Sequence, residues 1–394
     1  MTAVQLRAPR WAVPVALAAL VGHAIVLLVW PAAHLLLIDL QVYRAGAEHL
    51  LAGRSLYVGP VLDAMMFVYP PFAALLVAPL TAVPVPVLNA VWTAGSLLLL
   101  GAVVRRCLRL VDAPSSLPVV TAVVLAATWL DPVRTTLYLG QVNLVLLALV
   151  ALDVLGPARS RWRGVGIGVA AAIKLTPLLF VGYLLVTGRI RAAVTALATF
   201  AVAAGIGFAL APADSVDFWL RGTFAAAGRI SPADALSNHA LTGTIARRFG
   251  ELPVVPLVVS AAVAVATLFV ARRAHRAGEE VLAAAVCGLG AAAAAPFAWS
   301  HHYVWVVPLV LALAGRPGRR RLAALAVVAT AAVITRLPGP GVGPIPSTGL
   351  VSLWPDTYAV LTVLVLAVVA VQLRPPALRP LARGGVDHGQ NVVR

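Results

Sequence analysis

In a chain with few polar residues, a handful are of types that could do chemistry. Leu37-Ile38-Asp39-Leu40-Gln41-Val42-Tyr43-Arg44 follows the first long apolar run and sets a carboxylate, a phenol and a guanidinium within two helical turns. Farther on come Asp131 and Arg134, Gln141 and Asn143, Lys174, Asn238-His239, and Trp299-Ser300-His301-His302. A carboxylate can take the proton of an attacking hydroxyl. Arginine, lysine and imidazole can hold an anion as its charge develops.

Each residue also has a plainer reading. Asp39 is either a base or the N-cap of the helix it opens. Gln141 and Asn143 either line a site or tie helices together. Asn238 and His239 are substrate contacts or loop polarity. His301 and His302 are site residues or anchors at a span end, and adjacent helical positions point about 100° apart, so one of the pair is expected to face a site. With Asp39 and His239 they could be imagined around a metal, but the spacing carries no ligand signature and none is expected. Lys174 is costly in a membrane and therefore useful, either to a lipid phosphate or packed on carbonyls.

The elements that position these residues are helices in a bilayer. Sixty-one per cent of the 394 residues are hydrophobic and 11% charged, with a mean hydropathy of +0.95. That composition is polytopic membrane protein, and a bilayer requires backbone polar groups to be satisfied within helices, so an all-α bundle is expected. Cys107 and Cys287 are the only cysteines, too few and too far apart for a thiolate site or disulfide framework.

Arg7 and Arg10 precede a first span from Trp11 to Trp30, too long for a signal-peptide core. Residues 31–84 form an outer loop, in which the short apolar run after Tyr69-Pro70-Pro71-Phe72 suits an interfacial or re-entrant helix. Spans are expected at Val85–Val104, Leu117–Leu130 and Leu137–Leu155, the last two joined by an outer loop at Asp131–Thr136. A hairpin entered from inside turns near Lys174, which leaves open whether that residue reaches the outer side. Further spans are Ala192–Leu210, Leu252–Val270, Val281–Trp299, Tyr303–Ala314, Leu322–Leu337 and Tyr358–Gln372. The loop 211–251 lies outside, and a cytoplasmic tail follows from 374 to 394. This gives a single catalytic domain, 1–373, with about twelve crossings and both termini inside.

On this map 21 arginines fall inside and eight outside, while nine acids fall outside and five inside. The formal charge of +16 is thus a topology signal under the positive-inside rule, and a nucleic-acid partner is not expected. The residues singled out above gather at the outer face, Lys174 excepted.

Asp39-Leu40-Gln41-Val42-Tyr43-Arg44-Ala45-Gly46, Tyr69-Pro70-Pro71-Phe72, Leu139-Gly140-Gln141-Val142-Asn143, Ile173-Lys174-Leu175-Thr176-Pro177 and Trp299-Ser300-His301-His302-Tyr303-Val304-Trp305 together resemble the ordered motifs of glycosyltransferase family 87. Phe297-Ala298 departs from that pattern, in which a Ser or Ile is expected. The resemblance implies a GT-C-type membrane enzyme at the outer face of an actinobacterial cell membrane. Its implied donor is polyprenyl-phosphate-mannose, its acceptor an envelope glycolipid or lipoglycan, and its product commonly an α-1,2 linkage. Asp39 would be the base, and no cofactor beyond the donor substrate is implied.

Inverting transfer needs one base on the face opposite the leaving group. A polyprenyl phosphate leaves as an anion, so cations and hydrogen-bond donors serve it better than an acid. Tyr43, Arg44, Arg134, Gln141, Asn143, Lys174, Asn238, His239, Trp299, His301 and His302 are the candidate substrate-binding residues, with Trp299 placed to stack on a sugar. An arabinofuranosyltransferase using polyprenyl-phosphate-arabinose fits the same resemblance. A transporter or flippase of lipid-linked sugars would concentrate polar groups near the midplane on broken helices, which only Lys174–Pro177 suggests here.

Overall fold

The computed structural model describes residues 9–29, 37–229, 231–250, 252, 254–315, 318–333 and 355–373. Arg7, Arg316, Arg336, the loop at 338–349 and the tail from 374 lie outside the described residues, so the expectations placed on them have no structural counterpart here. Among the described residues the regular structure is helical, with one isolated bridge between Leu62 and Met65.

The first half comprises α1 (Ala12–Val29), α2 (Ile38–Leu51), α3 (Pro71–Val77), α4 (Val85–Leu110), α5 (Leu117–Ala127), α6 (Asp131–Leu139), α7 (Asn143–Val154), α8 (Val165–Ile173) and α9 (Leu179–Val186). The second comprises α10 (Ile190–Leu210), α11 (Pro212–Ser215), α12 (Leu241–Phe249), α13 (Val255–Arg276), α14 (Glu280–Ala293), α15 (Val306–Ala314), α16 (Arg319–Val333) and α17 (Thr357–Gln372). α4, α10 and α13 are each long and apolar enough to cross a membrane alone, and α5 with α6 makes a candidate span bent by 83°. The other apolar helical stretches, Ala12–Ile25 and Asn143–Val154 among them, are of 10–17 residues, short of the roughly 20 that a simple span needs. The chain is a helical membrane protein.

Several starts follow from proline. Pro71 and Pro132 stand in the first turns of α3 and α6, where a missing N–H is harmless and the fixed φ suits the helix. For this reason Asp131–Thr136 is not the loop the hydropathy suggested: Asp131 opens a helix whose first turn favours a carboxylate.

At the centre lies α14, with every residue from Val281 to Ala293 buried. Its alanines and glycines let neighbours come close, the usual way helices pack without a hydrophobic drive between them. A Cβ on Gly288 would stand 2.0 Å from the Trp305 ring, so that tryptophan is a core residue, stacked on Phe180, and not part of an interfacial belt.

α7 runs from Asn143 to Asp153, whose carboxylate accepts the backbone N–H groups of Gly164 and Ile167 at the start of α8. α8 returns along α7 to Lys174, beside Asn143. The chain then turns through Thr176–Leu178 into α9, and Arg189 beyond it pairs with Glu280 at the start of α14. The excursion around Lys174 is therefore a hairpin whose tip reaches the Asn143 end of α7.

Candidate active site

Just before α2 stands Leu37, whose backbone is left-handed (φ 50°) and whose N–H donates to Tyr138 O at the end of α6. That conformation is strained for a leucine. Gly140 follows α6 at φ 71°, and any Cβ there would stand 2.9 Å from Leu40. A glycine is required by both the backbone and the space, and the contact brings Gln141 against α2.

Asp39 lies inside the first turn of α2, and no side chain caps the helix. Its Oδ2 accepts the Gln141 Nε2–H at 2.7 Å. Gln141 Oε1 accepts the Tyr43 hydroxyl at 2.7 Å, and the Tyr43 and Tyr69 oxygens are 3.1 Å apart. A carboxylate can only accept here, which fixes the amide orientation; with the Tyr43 proton spent on Gln141, Tyr69 is the donor to Tyr43. Asp39 and Tyr43 share a face because they are four residues apart. Burial pushes the Asp39 carboxyl above its ordinary range, offset in part by the Gln141 hydrogen bond and the charge of Lys174.

Lys174 is extended between α8 and the turn after it. Its Nζ lies 2.7 Å from His302 Nε2, 3.5 Å from Asn143 Oδ1 and 5.6 Å from the centroid of the Tyr69 ring. The ammonium donates to Nε2, so the ring proton of neutral His302 sits on Nδ1, a buried atom without a partner. Asn143 Nδ2 and both ring nitrogens of His301 are likewise buried and unpartnered. His301 stacks on Trp299 with centroids 5.5 Å apart and stands nearly perpendicular to His302 at 4.9 Å. The two imidazoles are not split between site and surroundings as a helix would split them. They lie in a tight turn, Ser300–Tyr303, packed against both α6 and α14, so both directions are interior.

Asp39, Tyr43, Gln141, Asn143, Lys174, Trp299, His301 and His302 thus form one connected group. Four other candidates are engaged elsewhere. Arg44, one position past Tyr43 and so on another face of α2, donates to Glu48 and to the carbonyls of Thr81 and Val83. Arg134 pairs with Asp131. Asn238 binds backbone on both sides, donating to Ala233 O and Pro296 O and accepting from Ala240 and Ala298 N–H. His239 donates from Nδ1 to Pro355 O and from its backbone to Ala298 O, and burial lowers its ring to about 4. Ala298 is thus where the Asn238–His239 segment is clipped to the histidine turn, while its neighbour Phe297 packs on Trp299 at 4.7 Å. The departure from the family pattern is built into that clip.

Tyr69 was not singled out as a site residue, although its motif was; its partners come from α2 and α8, so only tertiary contact reveals it. The buried contacts around Asp131, which accepts from Thr135, Arg134 and the Tyr358 hydroxyl, were also not legible. An apolar cavity of about 120 Å³ lined by Tyr43, Tyr69, Trp92 and Ile173 adjoins the group, and one of about 40 Å³ lies beside Asn143 and His302. Among the described residues no cluster of His, Cys, Asp and Glu could hold a metal.

Fold and site together define a helical membrane enzyme with its polar centre at one end of α7. The model of glycosyltransferase family 87 matches residues 67–296, more than half of the chain, and the chain belongs to that family. It is 38% identical over 320 residues to a polyprenol-phosphate-mannose-dependent alpha-(1-2)-phosphatidylinositol mannoside mannosyltransferase of Mycobacterium tuberculosis (strain H37Rv), covering 75% of this chain and 74% of that one. The protein of the same name in Mycolicibacterium smegmatis is 35% identical over 72% of this chain and 71% of its own. A phosphatidylinositol pentamannoside mannosyltransferase of M. tuberculosis (strain CDC 1551) is 32% identical over 72% and 68%. No solved structure matches the chain.

Proposed function

We propose that this glycosyltransferase moves mannose from polyprenyl-phosphate-mannose to a phosphatidylinositol mannoside at the outer face of the membrane, forming an α-1,2 linkage with inversion. The observation that carries the reading is a half-buried carboxylate oriented by Gln141, next to a buried cation and to the buried His301 ring nitrogens, His302 Nδ1 and Asn143 Nδ2, which have no partner in the protein. The acceptor hydroxyl oxygen bonds to the anomeric carbon as that carbon's bond to the phosphate oxygen breaks. Asp39 takes the hydroxyl proton, and the electron pair of the broken bond leaves on polyprenyl phosphate. Lys174, the His302 Nδ1–H and the Asn143 amide are donors for that phosphate, and Trp299 with His301 offers an aromatic wall to the sugar. Arg44, Arg134, Asn238 and His239 serve by holding these groups in place. The relatives' names favour mannose over arabinose as the donor sugar, and transfer over transport.

In the membrane we read about twelve crossings, the Lys174 hairpin counting as two, with both termini inside and the Asn143 end of α7 outside. The deciding experiment is transfer of labelled mannose in membranes carrying wild type or Asp39→Asn at equal expression. The amide keeps the shape and removes the base, so transfer should fall by at least about a hundredfold. Undiminished transfer by the variant would remove Asp39 from the mechanism. Absence of transfer by folded wild type would overturn the donor.

A further inference from the structure

A sizeable cavity lies away from the active site. It has a volume of about 480 Å³ and lies along α7, between Leu99 of α4 and Val165 of α8, with Leu149, Leu152 and Trp162 among its lining residues. The site sits at the Asn143 end of α7 and the mouth of this cavity at the Asp153 end, about 15 Å along the helix.

The wall and the mouth differ in chemistry. The wall is aliphatic, with Leu152 36% and Trp162 64% exposed toward the surroundings of the bundle. The mouth is flanked by basic residues: Arg163 lines it, donating from Nη2 to Val154 O with its Nε left without a partner, Arg161 lies over the lining Trp162 ring at 5.2 Å, and Arg159 and Arg161 are exposed beside the lining Pro157, Ser160 and Trp162. Arg106, at the end of α4, donates to Leu155 O beside it. The one carboxylate in the lining, Asp153, is turned onto the backbone at the start of α8. Asp112, just past α4, lines a separate cavity with Glu279 and Glu280.

An apolar slot between helices, roofed by an interfacial tryptophan and several arginines, has the chemistry of an anionic phospholipid: acyl chain in the slot, phosphate at the basic mouth. We infer that this cavity is a binding site for an anionic diacyl phospholipid, in the leaflet opposite the active site. That the two ends of α7 face opposite leaflets, and that this one is the inner, rests on the membrane reading proposed above. The donor is a poorer occupant, since its one phosphate is needed at the other end of α7 and would leave this mouth without an anion.

The test uses the purified, delipidated full chain in detergent, titrated with phosphatidylglycerol, with phosphatidylcholine of the same acyl chains, and with polyprenyl phosphate. Retention is read by native mass spectrometry, and stabilisation by the melting midpoint. Phosphatidylglycerol should be retained and raise the midpoint more than phosphatidylcholine. Arg159→Gln with Arg161→Gln, which touches no packed contact except the Trp162 face, should weaken phosphatidylglycerol about thirtyfold and leave phosphatidylcholine unchanged. Leu152→Trp, which narrows the slot, should weaken both. Equal retention of the two phospholipids, or no change in the arginine variant, would overturn the site. Displacement of phosphatidylglycerol by polyprenyl phosphate, with loss of both in Leu152→Trp, would do so too, by making the slot the path of the donor's tail. None of these readouts needs mannose transfer, so failure of the proposed activity and failure of this site are told apart.

Discussion

At the scale of single residues, the site turns on what surrounds Asp39. Its carboxyl is raised by burial, which makes it a stronger base than an exposed aspartate. A base works deprotonated, so transfer should be lost as pH falls through that raised value, placing the acid limb of the pH–rate profile above the ordinary aspartate range. Gln141 hydrogen-bonds the charged form and so lowers the value. Gln141→Leu should therefore move the limb to higher pH and slow transfer about tenfold, the worth of one hydrogen bond to a charge; an unmoved limb would mean that Asp39 does not set it. Lys174 is the proposed counterpart for the leaving group. Lys174→Gln should lower kcat/KM for the donor by about a hundredfold, as removal of one preorganised donor does, with an unchanged melting midpoint; wild-type kinetics would remove it from the site.

At the scale of elements, the segment that carries α12 is held by a charge cluster around the buried Asp356. Asp356, just before α17, takes Arg247 at 2.5 Å and Arg248 at 3.0 Å from α12, and Thr244 at 2.9 Å. Burial works to raise its carboxyl, but the hydrogen bonds and charges of Arg247 and Arg248 outweigh it and hold the group below the ordinary range. The folded value being depressed, this stabilisation is complete above the unfolded value of about 4 and is lost as pH falls through the lower folded one. Asp356→Asn removes the carboxylate that Arg247 and Arg248 share and should cost about 3 kcal/mol at neutral pH. Melting of wild type and variant should converge in acid, and a pH-independent gap would assign the loss to packing. Because Asn238 and His239 lie on this segment and grip Ala298 beside the histidine turn, the variant should also weaken transfer in whatever fraction remains folded.

At the scale of the whole molecule, the proposed orientation puts the two ends of α7 on opposite sides of the membrane. After replacement of Cys107 and Cys287, both buried, single cysteines at Arg54 or Val58 should react with a membrane-impermeant maleimide in intact cells. Single cysteines at Arg161 or Gly278 should react only after the membrane is opened. The reverse pattern would invert the map and place the active site inside.

By itself the sequence determined the class and marked many of the residues that gather in the candidate site. Composition requires helices because a bilayer offers backbone groups no other partner, and local signals such as the prolines at 71 and 132 start helices wherever they stand. It also marked Asp39, Gln141, Lys174 and the histidine turn, since polar residues in so apolar a chain are costly unless used. What only the tertiary structure decided is which of them meet. Arg44 and Tyr43 are neighbours in sequence, yet one holds carbonyls and the other the Asp39–Gln141 chain. Lys174 joins Asn143 and His302 across separations of 31 and 128 residues. Hydropathy reports how deep a residue sits and on which side it emerges. Where the tip of a hairpin lies, and which face of a short helix turns inward, depends on packing against elements far away in the chain, as Gly140 against Leu40 and Gly288 against Trp305 show.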